Sequence, residues 1–212
     1  MLSVFLKRRR YWLAPALLFI LPAVAYGDSL APPYSYVRYS PNGKYVFVML
    51  APGDRESDFR RELKSIFPVS GMYLNDVSRT PLWTVDWYSY AVVPSSDGVH
   101  ILRWGPWAQK LSDEALTFFA NGKMLRSYRI SDLVDTKVGL YHTTSHFSWE
   151  REDDEEFNEI NHTFSLTTIT GEKYTFDYTT GEIVSARRPL RAVFALFAAT
   201  VLFLGLRRFF RR

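Results

Sequence analysis

The sequence predicts an all-β domain, built as an antiparallel meander or a β-sandwich and followed by a C-terminal transmembrane helix. Three observations lead there. Short runs that alternate apolar and polar side chains recur between residues 34 and 186, with turn-forming dipeptides between them. Helical periodicity is scarce over the same span. Both ends of the 212-residue chain carry an apolar stretch flanked by arginines.

The N-terminal end, residues 1–27, reads as a secretory signal. Lys7, Arg8, Arg9 and Arg10 precede an apolar run of 14 residues, 12–25, and Ala23-Val24-Ala25 fits a small-residue cleavage site. Ala25-Tyr26-Gly27 offers a second site, so the mature chain is expected to begin near Tyr26 or Asp28. Pro22 breaks the helix just ahead and leaves extended backbone for the peptidase. The rival reading is an uncleaved anchor. Crossing ~30 Å of hydrocarbon takes roughly 20 apolar residues, and 14 fall short.

The C-terminal end, residues 187–212, reads as a single-span anchor with a basic cytoplasmic tail. Residues 192–206 are 15 uncharged positions without a polar face, spanning roughly 22 Å as a helix. Snorkelling of Arg191, Arg207 and Arg208 lets Pro189-Leu190 and Phe209-Phe210 extend the span. Direction rests on the basic head of the N-terminal segment, which stays cytoplasmic and sends the chain outward. The tail loosely resembles the C-terminal sorting signals of bacterial surface proteins. The recognition motif of those families is missing, since Ser185-Ala186-Arg187-Arg188-Pro189-Leu190 stands in its place. Simple anchoring is therefore expected.

With its ends removed, the charge changes sign. Residues 28–186 hold all 22 acidic side chains against 15 basic ones, a net of −7, although the whole chain is +4. An acidic exported domain argues against nucleic acid and against adhesion to anionic lipid. The absence of cysteine excludes disulfides and thiolate chemistry. Combined with export, it favours a bacterial envelope over a eukaryotic exterior. The one sequon, Asn161-His162-Thr163, keeps the eukaryotic option open.

Within the domain, residues 28–186, the elements follow from pattern. Residues 83–87 (WTVDW) and 174–178 (YTFDY) alternate and should be half-buried strands. Residues 45–50 (YVFVML) are apolar on both faces, as a central strand packed on two sides would be. A short helix is expected over 59–66, capped by Ser57-Asp58 and ended by Pro68, with Phe59, Leu63, Ile66 and Phe67 on one face. Residues 131–134 add a single helical turn.

Turns are marked by Asn42-Gly43, Asp97-Gly98, Asn121-Gly122, Thr170-Gly171 and Thr180-Gly181. Ser40-Pro41-Asn42-Gly43-Lys44-Tyr45 and Ser95-Ser96-Asp97-Gly98-Val99-His100 are alike, with Phe119-Ala120-Asn121-Gly122-Lys123-Met124 a looser third copy. These phrases resemble the strand-opening turns of β-propeller blades. The 55 residues from Gly43 to Gly98 and the 49 from Gly122 to Gly171 are near blade lengths. The resemblance, over 40–184, extends to exported bacterial envelope proteins of unknown function and implies two or three blades. That is too few for a closed propeller.

No motif announces catalysis. There is no Gly-x-Ser-x-Gly elbow and no phosphate loop. His142 and His146 have the spacing of a helical zinc motif, but Thr143 stands where its glutamate would be, and strand-like flanks set the rings about 13 Å apart. The acidic run 150–156, extended by Glu159, lacks the glycine of a calcium loop and is expected to form a solvated hairpin tip. No cofactor and no metal are expected. The remaining candidates are surfaces for a partner. Trp104 and Trp107, two indoles around a Gly-Pro turn, could stack on a glycan or anchor a protein interface, bordered by Asp153, Asp154, Glu155 and Glu156. The expected function is non-catalytic binding or scaffolding at the envelope. The alternative is a hydrolase whose His, Asp and Glu residues are scattered in sequence.

Overall fold

The computed structural model describes residues 29–53 and 58–188. Both terminal segments, and with them the expected signal and membrane anchor, lie outside the described residues. Among the described residues no helix is long and apolar enough to cross a membrane.

Among the described residues, fourteen strands and two short helices follow in chain order. The first group is β1 (Tyr36–Tyr39), β2 (Tyr45–Met49), α1 (Asp58–Ile66), β3 (Gly71–Leu74) and β4 (Trp83–Thr84). The second is β5 (Val92–Pro94), β6 (His100–Trp104), β7 (Glu114–Ala120), β8 (Lys123–Arg129) and α2 (Ile130–Leu133). A small hairpin of β9 (Tyr141–His142) and β10 (Phe147–Ser148) leads to β11 (Glu156–Asn158), β12 (Thr163–Thr167), β13 (Lys173–Asp177) and β14 (Glu182–Arg187). Three four-stranded antiparallel sheets result, β1-β2-β3-β4, β5-β6-β7-β8 and β11-β12-β13-β14, each paired in sequence order. The all-β, antiparallel expectation holds.

The three sheets stack because the strands of the middle one are apolar on both faces. In β6, Leu102 joins a core with Phe118, Phe164, Leu166 and Phe176, whereas Ile101 joins a second core with Phe47, Met49, Met72 and Phe119. The period-2 alternation of a strand sends neighbours to opposite sides, so a doubly apolar strand needs cover on both. Register keeps the two sets apart, with Leu102 opposite Phe118 and Ile101 opposite Phe119. Strand β2 does the same on the first sheet. Phe47 and Met49 face the middle sheet, while Val46 and Val48 face Phe67 and Leu63.

The two ends of the stack are closed differently. Over the first sheet lies α1, whose following Phe67 meets Tyr73 edge-on at 4.8 Å. The helix runs as expected and stops before Pro68. Leu63 and Phe67 turn inward, but Ile66 is exposed, so the apolar face is narrower than its spacing suggested. The far sheet covers its inner face with Phe164, Leu166, Tyr174 and Phe176. Its outer face carries Ser165 and Thr175, hydrogen-bonded to each other at 2.9 Å. Residues 83–87, expected as one strand, pair only over Trp83-Thr84.

The matching turn phrases occupy matching places. Asn42-Gly43 joins the first two strands of the first sheet, and Asp97-Gly98 joins the first two of the second. In both, the Asx side chain caps the turn. Asn42 Oδ1 accepts from the Lys44 amide at 3.0 Å, and Asp97 Oδ1 from the Val99 amide at 2.7 Å. Burial pushes the Asp97 carboxyl up, but bonds from Ser95, His100 and two backbone amides hold it below the usual aspartate value. The third copy is placed elsewhere, because Asn121-Gly122 joins the third and fourth strands. The counterpart of the first two phrases in the last sheet is Asn161-His162, between β11 and β12, where His162 takes a left-handed φ of 54° without a glycine.

Hydrogen bonds run from turn to turn. Asn42 Nδ2 donates to the Ser96 carbonyl at 2.8 Å, and the Ser96 amide donates to Glu159 at 2.9 Å. Gly98 has φ +71°, and a Cβ there would lie 2.5 Å from the Tyr45 ring; Gly43 has φ +68° but open space around it. Gly43→Ala should therefore cost about 1 kcal/mol, the left-handed penalty alone. Gly98→Ala should cost roughly 1–2 kcal/mol more, because Tyr45 must move. Urea denaturation of both variants checks the difference. Equal losses would mean that the turns do not pack on one another.

Candidate functional site

A cleft of about 320 Å³ opens where the end of β6 meets β10 and the segment that leads to β11. It is at the small end of ligand-sized pockets. Trp104 closes β6, and its amide continues the ladder by donating to the Ala91 carbonyl at 3.1 Å. The chain then turns through Gly105 and Pro106. A side chain at Gly105 would strike the carbonyl of Glu114, so only glycine allows this close approach. Trp107 follows on the far side of the turn and is 38% exposed.

A second wall arrives from 39 residues downstream. Ala108 pairs with Phe147, whose amide donates to the Ala108 carbonyl at 2.9 Å. That bridge lays β10 along the 104–108 segment. His146 thereby stacks on Trp107 with ring centroids 4.1 Å apart and planes 24° from parallel. Trp149 packs at 6.0 Å from Trp104, which also meets Phe164 edge-on at 5.9 Å. Next, Glu150 bridges to Thr168, and Arg151 donates from its amide to the Thr167 carbonyl at 2.9 Å, fixing the chain against the last sheet. A 3-10 turn, Glu152–Asp154, carries it back over the cleft.

Three carboxylates from this segment line the cleft: Glu150, Glu152 and Glu155. None of the lining side chains among the described residues is a lysine or arginine. Oε2 of Glu150 is shielded from solvent and has no hydrogen-bond partner. Burial first, then the charge of Glu152, raises the Glu150 carboxyl above the usual glutamate value, against backbone amides that lower it. Glu155 is pushed up to about 7 by burial and by the charges of Glu150 and Glu152. Glu155 as a residue remains exposed, so its carboxyl is only partly withdrawn from water.

Of the residues singled out from sequence, the structure brings Trp104, Trp107 and Glu155 into one cleft. Asp153 points to solvent, Asp154 pairs with Arg151 at 3.7 Å, and Glu156 sits on β11 opposite Ser165. The acidic run is thus divided. One part is the solvated tip, and the other forms a wall. His142 and His146 stand on or beside a hairpin, not a helix; His142 is exposed, near Phe147, and His146 belongs to the cleft. Among the described residues no three His, Asp or Glu side chains are placed to hold a metal ion. Glu150 and Glu152 belong to the acidic run already singled out beside the tryptophans, though as a solvated tip and not as a wall, whereas His146 was not expected to join them. The only local signal was the polarity of the run, since the Ala108–Phe147 bridge is long-range.

No family model matches the chain, and no curated protein or solved structure is significantly similar to it.

A raised carboxyl makes stability fall as pH rises. The folded state holds a Glu155 proton that the unfolded chain has already released, so between about 4.5 and 7 the unfolded state binds fewer protons and loses less on alkalinisation. Glu155→Gln should remove that slope and leave the variant more stable than the parent at pH 8. Melting temperatures measured from pH 4.5 to 8 check it. A parent whose stability climbs over this window as steeply as the variant's would refute the crowding of the three glutamates.

Proposed function

We propose that the protein is a membrane-tethered, exported, non-catalytic domain that binds a partner at the cell envelope. Its three sheets act as blade-like units of an open stack, and the cleft between Trp107 and Glu155 is the contact site. The observation that carries the reading is a cleft in which an aromatic turn meets an acidic run, with Trp107 exposed and three glutamates among the lining side chains. Each wall is anchored in the core through Ala108, Phe147 and Trp149, while Trp107 and the three glutamates are left outside it. The basic, apolar ends of the chain supply the export signal and the anchor in this reading, and the net −7 of residues 28–186 supports a partner other than nucleic acid.

A second reading has one specific observation in its favour. A carboxyl pushed up to about 7, beside His146 and a second raised glutamate, resembles the general acid of a hydrolase. An envelope hydrolase would lose turnover of its polymer substrate entirely in Glu155→Gln, while a binding module would show none in either form.

The test is capture in cells. A photo-crosslinking residue at Trp107 or Glu155 of the anchored chain should trap a defined envelope protein or glycan. The same residue at Lys123, on the outer strand β8, should trap nothing specific. Replacing Asp153 by Ser should leave capture unchanged, because that side chain faces away from the cleft. Equal capture from Lys123 and Trp107 would remove the cleft from the account.

A further inference from the structure

We propose that the cleft takes an organic cation, an ammonium or guanidinium group borne by a larger molecule. The inference rests on reading the cleft as a binding site and adds the chemistry of what enters it.

Several independent features of the cleft point to such a group. The walls carry Glu150, Glu152 and Glu155 with no lysine or arginine among them, and Arg151, which lies within the same run, is engaged with Asp154 at 3.7 Å. The cavity therefore holds negative charge that the chain leaves uncompensated. The Glu150 carboxyl lines the cleft, and its Oε2 has no hydrogen-bond partner among the described residues, so an N–H donor from a ligand can add a bond the chain does not supply. Trp107 keeps 38% of its surface open while His146 stacks on it, so an indole borders the charged wall. Indoles attract cations through the negative face of the ring.

The same geometry separates this ligand from its nearest rivals. A bare divalent ion needs carboxylates converging at one point, and among the described residues no such group of three exists. An extended cation with several donors matches dispersed carboxylates better, as guanidinium does with its fork of N–H groups. A neutral saccharide would stack on the indole equally well but would leave the three acids facing one another.

Charge recognition makes binding depend on pH. The groups facing the site are Glu150, Glu152, Glu155 and His146, with the Arg151–Asp154 pair behind them. Protonating any of the glutamates, or His146, adds positive charge to the cleft and opposes a cation. Since Glu155 is pushed up to about 7, affinity should rise by about tenfold from pH 5.5 to 8. A neutral sugar would show no such rise.

The experiment uses the full chain in detergent micelles, with tryptophan fluorescence and indole N–H shifts as readouts. Agmatine and putrescine are the cationic probes, and calcium and a neutral oligosaccharide of N-acetylglucosamine are the comparators. Expected are saturable binding of the amine or guanidine probe, its strengthening with pH, and at least about tenfold weaker binding in Glu155→Gln. Trp107→Leu should weaken binding as well, and Glu155→Gln should melt at or above the parent at pH 8. Binding of the oligosaccharide but neither cation would overturn the proposal, as would cation binding that neither variant alters. If no probe binds while crosslinks from Trp107 still capture a partner, the cleft stands and the cation chemistry fails. If both fail, the cleft is no binding site.

Discussion

The two-sided burial of the middle sheet is the constraint on which the rest of this molecule depends. Strand β7 is buried along its whole interior, and β6 beside it and β5 beyond add Val92, Ile101 and Leu102 to one face or the other. A sheet with only one apolar face can rest against a single partner. This one cannot. Exposing either face would return several large side chains to water, at roughly 1.5–3 kcal/mol for each fully buried Leu, Ile or Phe. The sheets on either side therefore fold against a common centre. Hydrogen bonds at the edges then set their alignment, such as Tyr128 to the Gly181 carbonyl and Trp83 to the Gly98 carbonyl, both at 2.8 Å.

This arrangement explains where the cleft lies. The end of β6 leaves the middle sheet at Trp104, and the chain before β11 must cross from the middle sheet to the last one. The two meet at the junction, where Trp104 packs between Trp149 and Phe164. Three glutamates carried on that crossing are held near one another by the backbone bonds of residues 149–151 with 167–169, not by any attraction between them. Raised carboxyls are the electrostatic cost of that placement, and they give the site its chemical character.

Much of the fold was legible because strand burial writes a period into the sequence. Tyr174, Phe176 and Tyr178 alternate with polar neighbours and all are buried. Residues 45–49 are apolar at each position, and β2 packs on both faces. The helix was readable from its apolar spacing and from Pro68. Illegible elements were those too short for a period, above all the two-residue strands β9 and β10, which exist only because Phe147 pairs with Ala108. The Asn161-His162 turn was hidden for another reason: histidine occupies a left-handed position usually marked by glycine. The site followed the same rule. Two tryptophans three residues apart could be noticed as a pair, whereas the apposition of Trp107 with His146 depends on a long-range contact that leaves no local trace.

The central claim, that one doubly buried sheet ties three sheets into a single unit, is tested most directly by native-state hydrogen exchange. Amides of Val48 in β2, Phe118 in β7 and Phe164 in β12 all belong to strands packed in the shared cores. The account predicts that they exchange with the same opening free energy and the same dependence on denaturant, because none of the sheets can leave without uncovering the centre. Opening of Val48 at a much lower free energy, with weak denaturant dependence while Phe118 stays protected, would contradict it.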